Sequence, residues 1–199
     1  TLWRLTGVES FDVSGPLAIG ADVTGSIDRP VIRGSLRTEN LRLESSVSGT
    51  VLTGLKAFGR FDRSRLVIDQ FTGNAGRGTV SGEASFDLAG ANGFGIDLAL
   101  DAKRASLIAR DDFAATVTGP LRIVSNGPEG RISGNVVIDR GAFRLGQASA
   151  AQQIPTLRVR EINRPFGTPR VRAAPTFWAL DVKARADSQL AVTGLGLDS

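Results

Sequence analysis

The chain has 199 residues, 41% of them apolar, with 24 glycines and a net charge of +4 from 24 basic and 20 acidic side chains. Cysteine and histidine are both absent, which excludes a disulfide-stapled fold, a Ser–His–Asp triad, a Cys–His nucleophile pair and any thiolate or imidazole metal site. The apolar share is enough for a core and too high for a disordered chain, and the mild positive charge alternates with negative charge along the sequence.

Arginine supplies 21 of the basic residues and lysine three, a bias that points to a GC-rich bacterial genome. The chain starts at Thr1, contains no methionine and ends within a β-like run, so it is expected to be a piece of a longer protein. No stretch approaches the roughly 18 apolar residues of a membrane-spanning helix.

In chain order, Thr1–Leu5 reads as a short strand and Gly7–Ser10 as a turn. Leu17, Ile19, Ala21 and Val23 alternate with Ala18, Gly20, Asp22 and Thr24, the period of a strand with one apolar face. The stretch Ala21–Leu43, ADVTGSIDRPVIRGSLRTENLRL, continues with a turn over Gly25–Pro30, a strand from Val31 to Arg37, a break at Glu39-Asn40 and a short strand at Leu41–Leu43. The phrase returns as Ala115–Leu145, ATVTGPLRIVSNGPEGRISGNVVIDRGAFRL. Val23-Thr24-Gly25 matches Val117-Thr118-Gly119, the run from Ile32 to Leu36 matches Ile132 to Val136, and Leu41–Leu43 matches Phe143–Leu145. The second copy has a longer turn and a longer second strand.

Val51–Phe61 reads as a strand with alternation in Val51, Leu55, Ala57 and Phe61, and Gly49, Gly54 and Gly59 argue against a helix across Val51–Phe58. A hairpin turn at Asp62–Arg65 leads to a strand at Leu66–Phe71 and a wide turn at Gly73–Gly78. Val80, Gly82, Ala84, Phe86 and Leu88 then face one way. After a turn at Gly90–Gly93, Phe94, Ile96, Leu98 and Leu100 answer them. Residues 147–175 change texture, with four prolines and five arginines against the single acid Glu161. Proline removes ladder donors, so the segment reads as a connection with one edge strand at Leu157–Val159. Alternation resumes at Trp178, Leu180, Val182, Ala184 and Ala186. The organisation is therefore β units over 1–146, a Pro/Arg-rich connection over 147–175, and further strands over 176–199.

About a dozen short strands joined by turns, with no convincing helix, imply an all-β fold and an antiparallel meander. Enzymatic signals are weak. The acid pairs Asp97/Asp101 and Asp111-Asp112 read as solvated strand and turn residues. GNAGRG at 73–78 lacks the helix and the Lys-Ser/Thr of a phosphate loop. The arginines from Arg158 to Arg172 have only Phe166 among them, too little aromatic interleaving for a nucleic-acid surface. No cofactor or metal is implied. What stands out is an apolar face: Leu17, Ile19, Val23, Ile32, Leu36, Phe86, Leu88, Phe94, Ile96, Leu98, Val117, Ile132, Val136, Ile138, Trp178, Leu180 and Val182. With no helices to cover it, the sheet must curl on itself. Two outcomes stay open. One is a closed-core sandwich or solenoid scaffold. The other is an open trough, which leaves roughly 1.5–3 kcal/mol of burial unrealised per large side chain.

VTGSIDRPVIRGSLRTENLRLES, its echo GRISGNVVIDRGAFRLG, and IPTLRVREINRP followed by LDVKARADSQLAVTGLGLDS resemble the carboxy-terminal region of the TamB family, within the wider AsmA-like group. The family's terminal part beyond the GLGLDS run is missing. The motifs are glycine, proline and hydrophobic spacings, so the resemblance implies structure and no catalysis. It implies a single long antiparallel sheet curled into an open trough with a hydrophobic interior, in a periplasmic protein anchored in the inner membrane of a Gram-negative bacterium. It further implies an outer-membrane partner of the BamA superfamily (TamA-like), and phospholipid acyl chains or nascent outer-membrane β-strands as cargo.

Overall fold

The computed structural model describes residues 11–26, 29–88, 94–127, 129–144, 177–186, 190–194 and 197–198. The expected strand at Thr1–Leu5, the turns at Gly7–Ser10 and Gly90–Gly93, the connection at 147–175 with its arginines and the edge strand Leu157–Val159 lie outside these residues. Among the described residues there are twelve strands and no helix. They are β1 (Phe11–Ser14), β2 (Ala18–Ser26), β3 (Arg29–Ser45), β4 (Val51–Arg63), β5 (Arg65–Ala75), β6 (Gly78–Asp87), β7 (Gly95–Ala109), β8 (Phe113–Ser125), β9 (Glu129–Arg144), β10 (Phe177–Arg185), β11 (Leu190–Gly194) and β12 (Leu197–Asp198).

All twelve strands belong to one open sheet. From β3 to β9 each strand pairs antiparallel with the next in sequence, as expected of short strands separated by turns. β1 and β2 both pair with β3, so together they form one interrupted edge strand. The far edge is also interrupted, with β10 and β11 both on β9. There the order departs from the expected meander, because β10 and β11 run parallel to β9. A parallel neighbour needs a return connection of a dozen or more residues, and residues 145–176 separate β9 from β10 in the chain.

Several local expectations are refined. Glu39-Asn40 is no break: β3 continues to Ser45, and the irregularity there is a register shift against β4. The wide turn at Gly73–Gly78 narrows to Gly76-Arg77, since β5 runs to Ala75 and β6 starts at Gly78. In the second copy of the repeated phrase, Pro120–Ser125 belongs to β8 and pairs with β9, so the extra length lies in the strand and not in the turn. The repeat has a backbone basis: a Cβ on Gly34 would sit 2.6 Å from the Ala21 Cα, and one on Gly134 would sit 2.3 Å from the Pro120 oxygen. Only glycine allows the facing strand that close.

Bulges curl the sheet. Register shifts occur on β3–β4 near Thr38–Leu43, on β4–β5 at Thr53–Lys56 and Phe58–Gly59, on β5–β6 at Ile68–Phe71, on β7–β8 at Ala102–Ala105, and on β8–β9 at Thr116–Val117. Each inserted residue bends its strand and increases the local twist. The buried apolar residues fall into one cluster: Leu55, Ile68, Phe71, Ala75, Val80, Ala84, Ala102, Ala105, Ala115, Val117 and Val136.

A candidate apolar trough

Directly opposed residues of neighbouring strands point to the same side of a sheet, so the registers define rows that cross it. The first row runs Ile19, Leu36, Gly59, Ile68, Ala84, Leu98, Ile123, Ile132 and Leu180, from β2 to β10, with no polar member. The second runs Ala21, Gly34, Phe61, Leu66, Phe86, Ile96, Ser125, Gly130 and Trp178. The third runs Thr38, Ala57, Phe71, Gly82, Leu100, Leu121, Gly134 and Val182. Large residues repeatedly face small ones, as Phe71 faces Gly82 and the Trp178 ring faces Gly130. The two polar members are satisfied internally. The Thr38 hydroxyl donates to the Pro16 carbonyl at 2.7 Å, and that of Ser125 donates to the Glu129 carbonyl at 2.8 Å.

Of the residues singled out from the sequence, the rows contain Ile19, Leu36, Phe86, Ile96, Leu98, Ile132, Trp178, Leu180 and Val182. Val23 opposes Ile32, Val117 opposes Ile138, and Val136 opposes Ala184. Leu17 immediately precedes β2, and Leu88 and Phe94 flank the β6–β7 connection. The alternation in β4 included Leu55, Ala57 and Phe61, but the apolar list took none of them and no residue of β5. Phe61, Leu66, Ile68 and Phe71 share the face, yet the bulges at Thr53–Lys56 and Ile68–Phe71 reverse the parity along their strands. The available signal was a small residue opposite each large one, such as Gly59 facing Ile68.

Exposure along the face is uneven. At the two edges it is open: Ile19 is 57% and Val23 65% exposed on β2, and Trp178 is 49% and Leu180 75% exposed on β10. Over the middle strands it is closed, with Val80, Ala102 and Ala105 at 1% or less. The closure comes from the β7–β8 hairpin. Thr79 of β6 meets Lys103, whereas β7 continues to Ala109 and pairs onward with β8 alone. This overhang crosses the β5–β6 turn, where a Cβ on Gly76 would lie 3.0 Å from the Ser106 Cβ. Its tip reaches the β3–β4 turn, where the Ala109 amide donates to the Ser48 carbonyl at 2.9 Å and the Thr50 hydroxyl donates to the Leu107 carbonyl.

The opposite face carries the charges, together with the exposed side chains of Phe58, Val124 and Val137. Asp22, Arg33, Asp62, Arg65 and Asp87 stand in one row across β2 to β6 with alternating sign. Arg60 pairs with Asp69, and Arg122 with Asp97, each at 2.8 Å. The hydrogen bond to Asp97 raises the Arg122 pKa above its ordinary value. Asp112 is gripped by Arg110 at 2.8 Å, and that hydrogen bond holds the carboxyl below its usual range. Both acid pairs noted in the sequence thus contain a member held by arginine.

The TamB C-terminal domain family matches residues 67–199. The chain belongs to the TamB family. TamB proteins act in outer-membrane biogenesis as part of the translocation and assembly module, work with a TamA-like outer-membrane partner, and span the periplasm. The TamB match begins inside β5, yet β3 and β4 extend all three rows and β2 extends two of them. Neither a search of curated proteins nor one of solved structures finds a match.

Proposed function

We propose that this chain is a non-enzymatic, periplasmic β-groove segment of a TamB-like protein anchored in the inner membrane of a Gram-negative bacterium. Its parent links the inner and outer membranes and assists outer-membrane protein assembly, phospholipid transport or both. The mechanism is apolar shielding. Acyl chains, or the lipid-facing side of a nascent barrel strand, lie along the rows while polar groups stay in water, and a TamA-like barrel receives them. Residues 147–175 serve as the connection between β9 and β10 within one groove domain.

The observation that carries this reading is the row from Ile19 to Leu180, apolar or glycine at every position across nine strands and exposed at both ends. Apolar surface left exposed, as at the two ends of this row, marks a binding surface. The packed middle, with Val80, Ala102 and Ala105 fully enclosed, favours a second reading, a closed-core scaffold without a ligand groove.

Uptake of a fluorescent phospholipid from vesicles separates the two. The double variant Val23→Asp/Leu180→Asp places charges on the exposed parts of the apolar face and should lose uptake. Phe58→Asp, which lies on the charge-bearing face opposite Arg37 and Gln70, should retain it. Native uptake by the folded double variant would sink the groove reading.

A further inference from the structure

The contact between the β3–β4 turn and the tip of the β7–β8 hairpin joins parts of the sheet separated by β5 and β6. It consists of the Ser48 carbonyl receiving the Ala109 amide, the Thr50 hydroxyl on the Leu107 carbonyl, and Arg110 reaching the Val47 carbonyl at 3.4 Å. Val47 of the turn stands 62% exposed, while Leu107 and Ile108 of the hairpin lie partly buried against the apolar cluster. The fit is close. Gly49 adopts φ +67°, and a Cβ there would lie 2.2 Å from the Ala109 oxygen. Beneath this contact are the most enclosed residues of the apolar face, and away from it the same rows open to solvent.

We propose that this contact is a clasp that gates the apolar trough: closed, it packs the interior over β4 to β7 shut, and released, it admits an acyl chain there. The inference rests on the groove reading above and adds a regulated constriction between two permanently open ends. Polar turn-to-turn hydrogen bonds suit such a gate, because each exchanges for water with little net change. The overhang, Ala105–Val117, then moves together with the β9 segment Ile138–Arg144 that pairs with it, bending at the β7 bulge at Ala102–Ala105, where Arg104 adopts φ 47°, and at the β8–β9 register shift at Thr116–Val117.

The test uses vesicles of phosphatidylethanolamine carrying a diazirine in one acyl chain, with the labelled peptides located by mass spectrometry. In the native chain, labelling falls on β2 and β10 and spares the segment from Phe71 to Val80. Gly49→Val wedges the clasp open and should raise labelling of that segment several-fold. Thr50→Val, which removes the hydroxyl bond to Leu107 and the one to the Ser48 hydroxyl within the turn, should shift it in the same direction and serves if the glycine variant does not fold. Bridging Val47→Cys and Arg110→Cys with a bismaleimide in the Thr50→Val background should return labelling to the native level, and no native cysteine competes. Unchanged labelling of Phe71–Val80 in folded Thr50→Val, with β2 and β10 still labelled, overturns the gate and leaves the groove. No labelling on any strand of any variant overturns the groove reading and the gate with it.

Discussion

Replacing Phe71 by alanine measures how tightly the middle of the trough is packed. Phe71 is 8% exposed, opposes Ala57 on one side and Gly82 on the other, and its ring comes within 3.1 Å of where a Cβ on Gly82 would stand. Neither neighbour carries a side chain long enough to fill the space the ring leaves. The loss therefore combines the transfer of a phenyl group with a cavity that cannot collapse, about 3–5 kcal/mol for such a truncation. In a chain of this length each kcal/mol shifts the midpoint by roughly 2–4 °C, so Phe71→Ala should melt some 6–20 °C lower. Leu180→Ala removes a side chain that is 75% exposed and should cost about 0.5 kcal/mol or less. Urea unfolding followed by far-ultraviolet circular dichroism gives both numbers. Equal costs for the two substitutions would show that the middle rows are no better packed than the edge, which would refute the closed middle.

Other outcomes follow from the same geometry. Gly134→Val drives a side chain against the Pro120 carbonyl and the Leu121 Cα and should destabilise by about 3 kcal/mol, whereas Gly20→Ala, with nothing within 4 Å, should stay within roughly 0.5 kcal/mol; paired denaturant curves decide. Arg33→Asp puts like charge between Asp22 and Asp62 and should cost about 0.4–2 kcal/mol over its two cross-strand pairs. Raising the salt should shrink that penalty, and a penalty independent of salt would argue against a charge origin. The Asp112 carboxyl titrates below its ordinary range because Arg110 donates to it. Its contribution is thus present above the unfolded value and lost as pH falls through the folded one. Midpoint-versus-pH profiles of the native chain and Asp112→Asn should therefore converge at acid pH and separate above it.

Strand faces were legible wherever alternation was unbroken. The pattern in β6 and β7 set Val80, Gly82, Ala84 and Phe86 on one face with Ile96, Leu98 and Leu100 answering it, and the register then pairs Phe86 with Ile96 and Ala84 with Leu98. It failed where a bulge inserts one residue, because a single insertion reverses inside and outside for the rest of the strand; Phe71 shares the face of Ile68, three residues away, for that reason. The parallel placement of β10 was also illegible, since Trp178, Leu180 and Val182 show the same period whichever way the strand runs. Least readable was the contrast between an enclosed middle and exposed edges. It depends on Thr50 meeting Leu107, residues far apart in sequence that carry no motif in common.

A barrel counts its strands, because closure fixes their number and tilt. This sheet does not: among the described residues the outer sides of β2 and β10 have no neighbouring strand. A sheet that ends in two free ladders can be lengthened by whole hairpins without rebuilding what is already there, each adding about 10 Å along the stacking direction. Its reach is therefore a number evolution can adjust in increments of one hairpin. A cross-section set by bulges can be copied along the length, as the phrase shared by β2–β3 and β8–β9 already is.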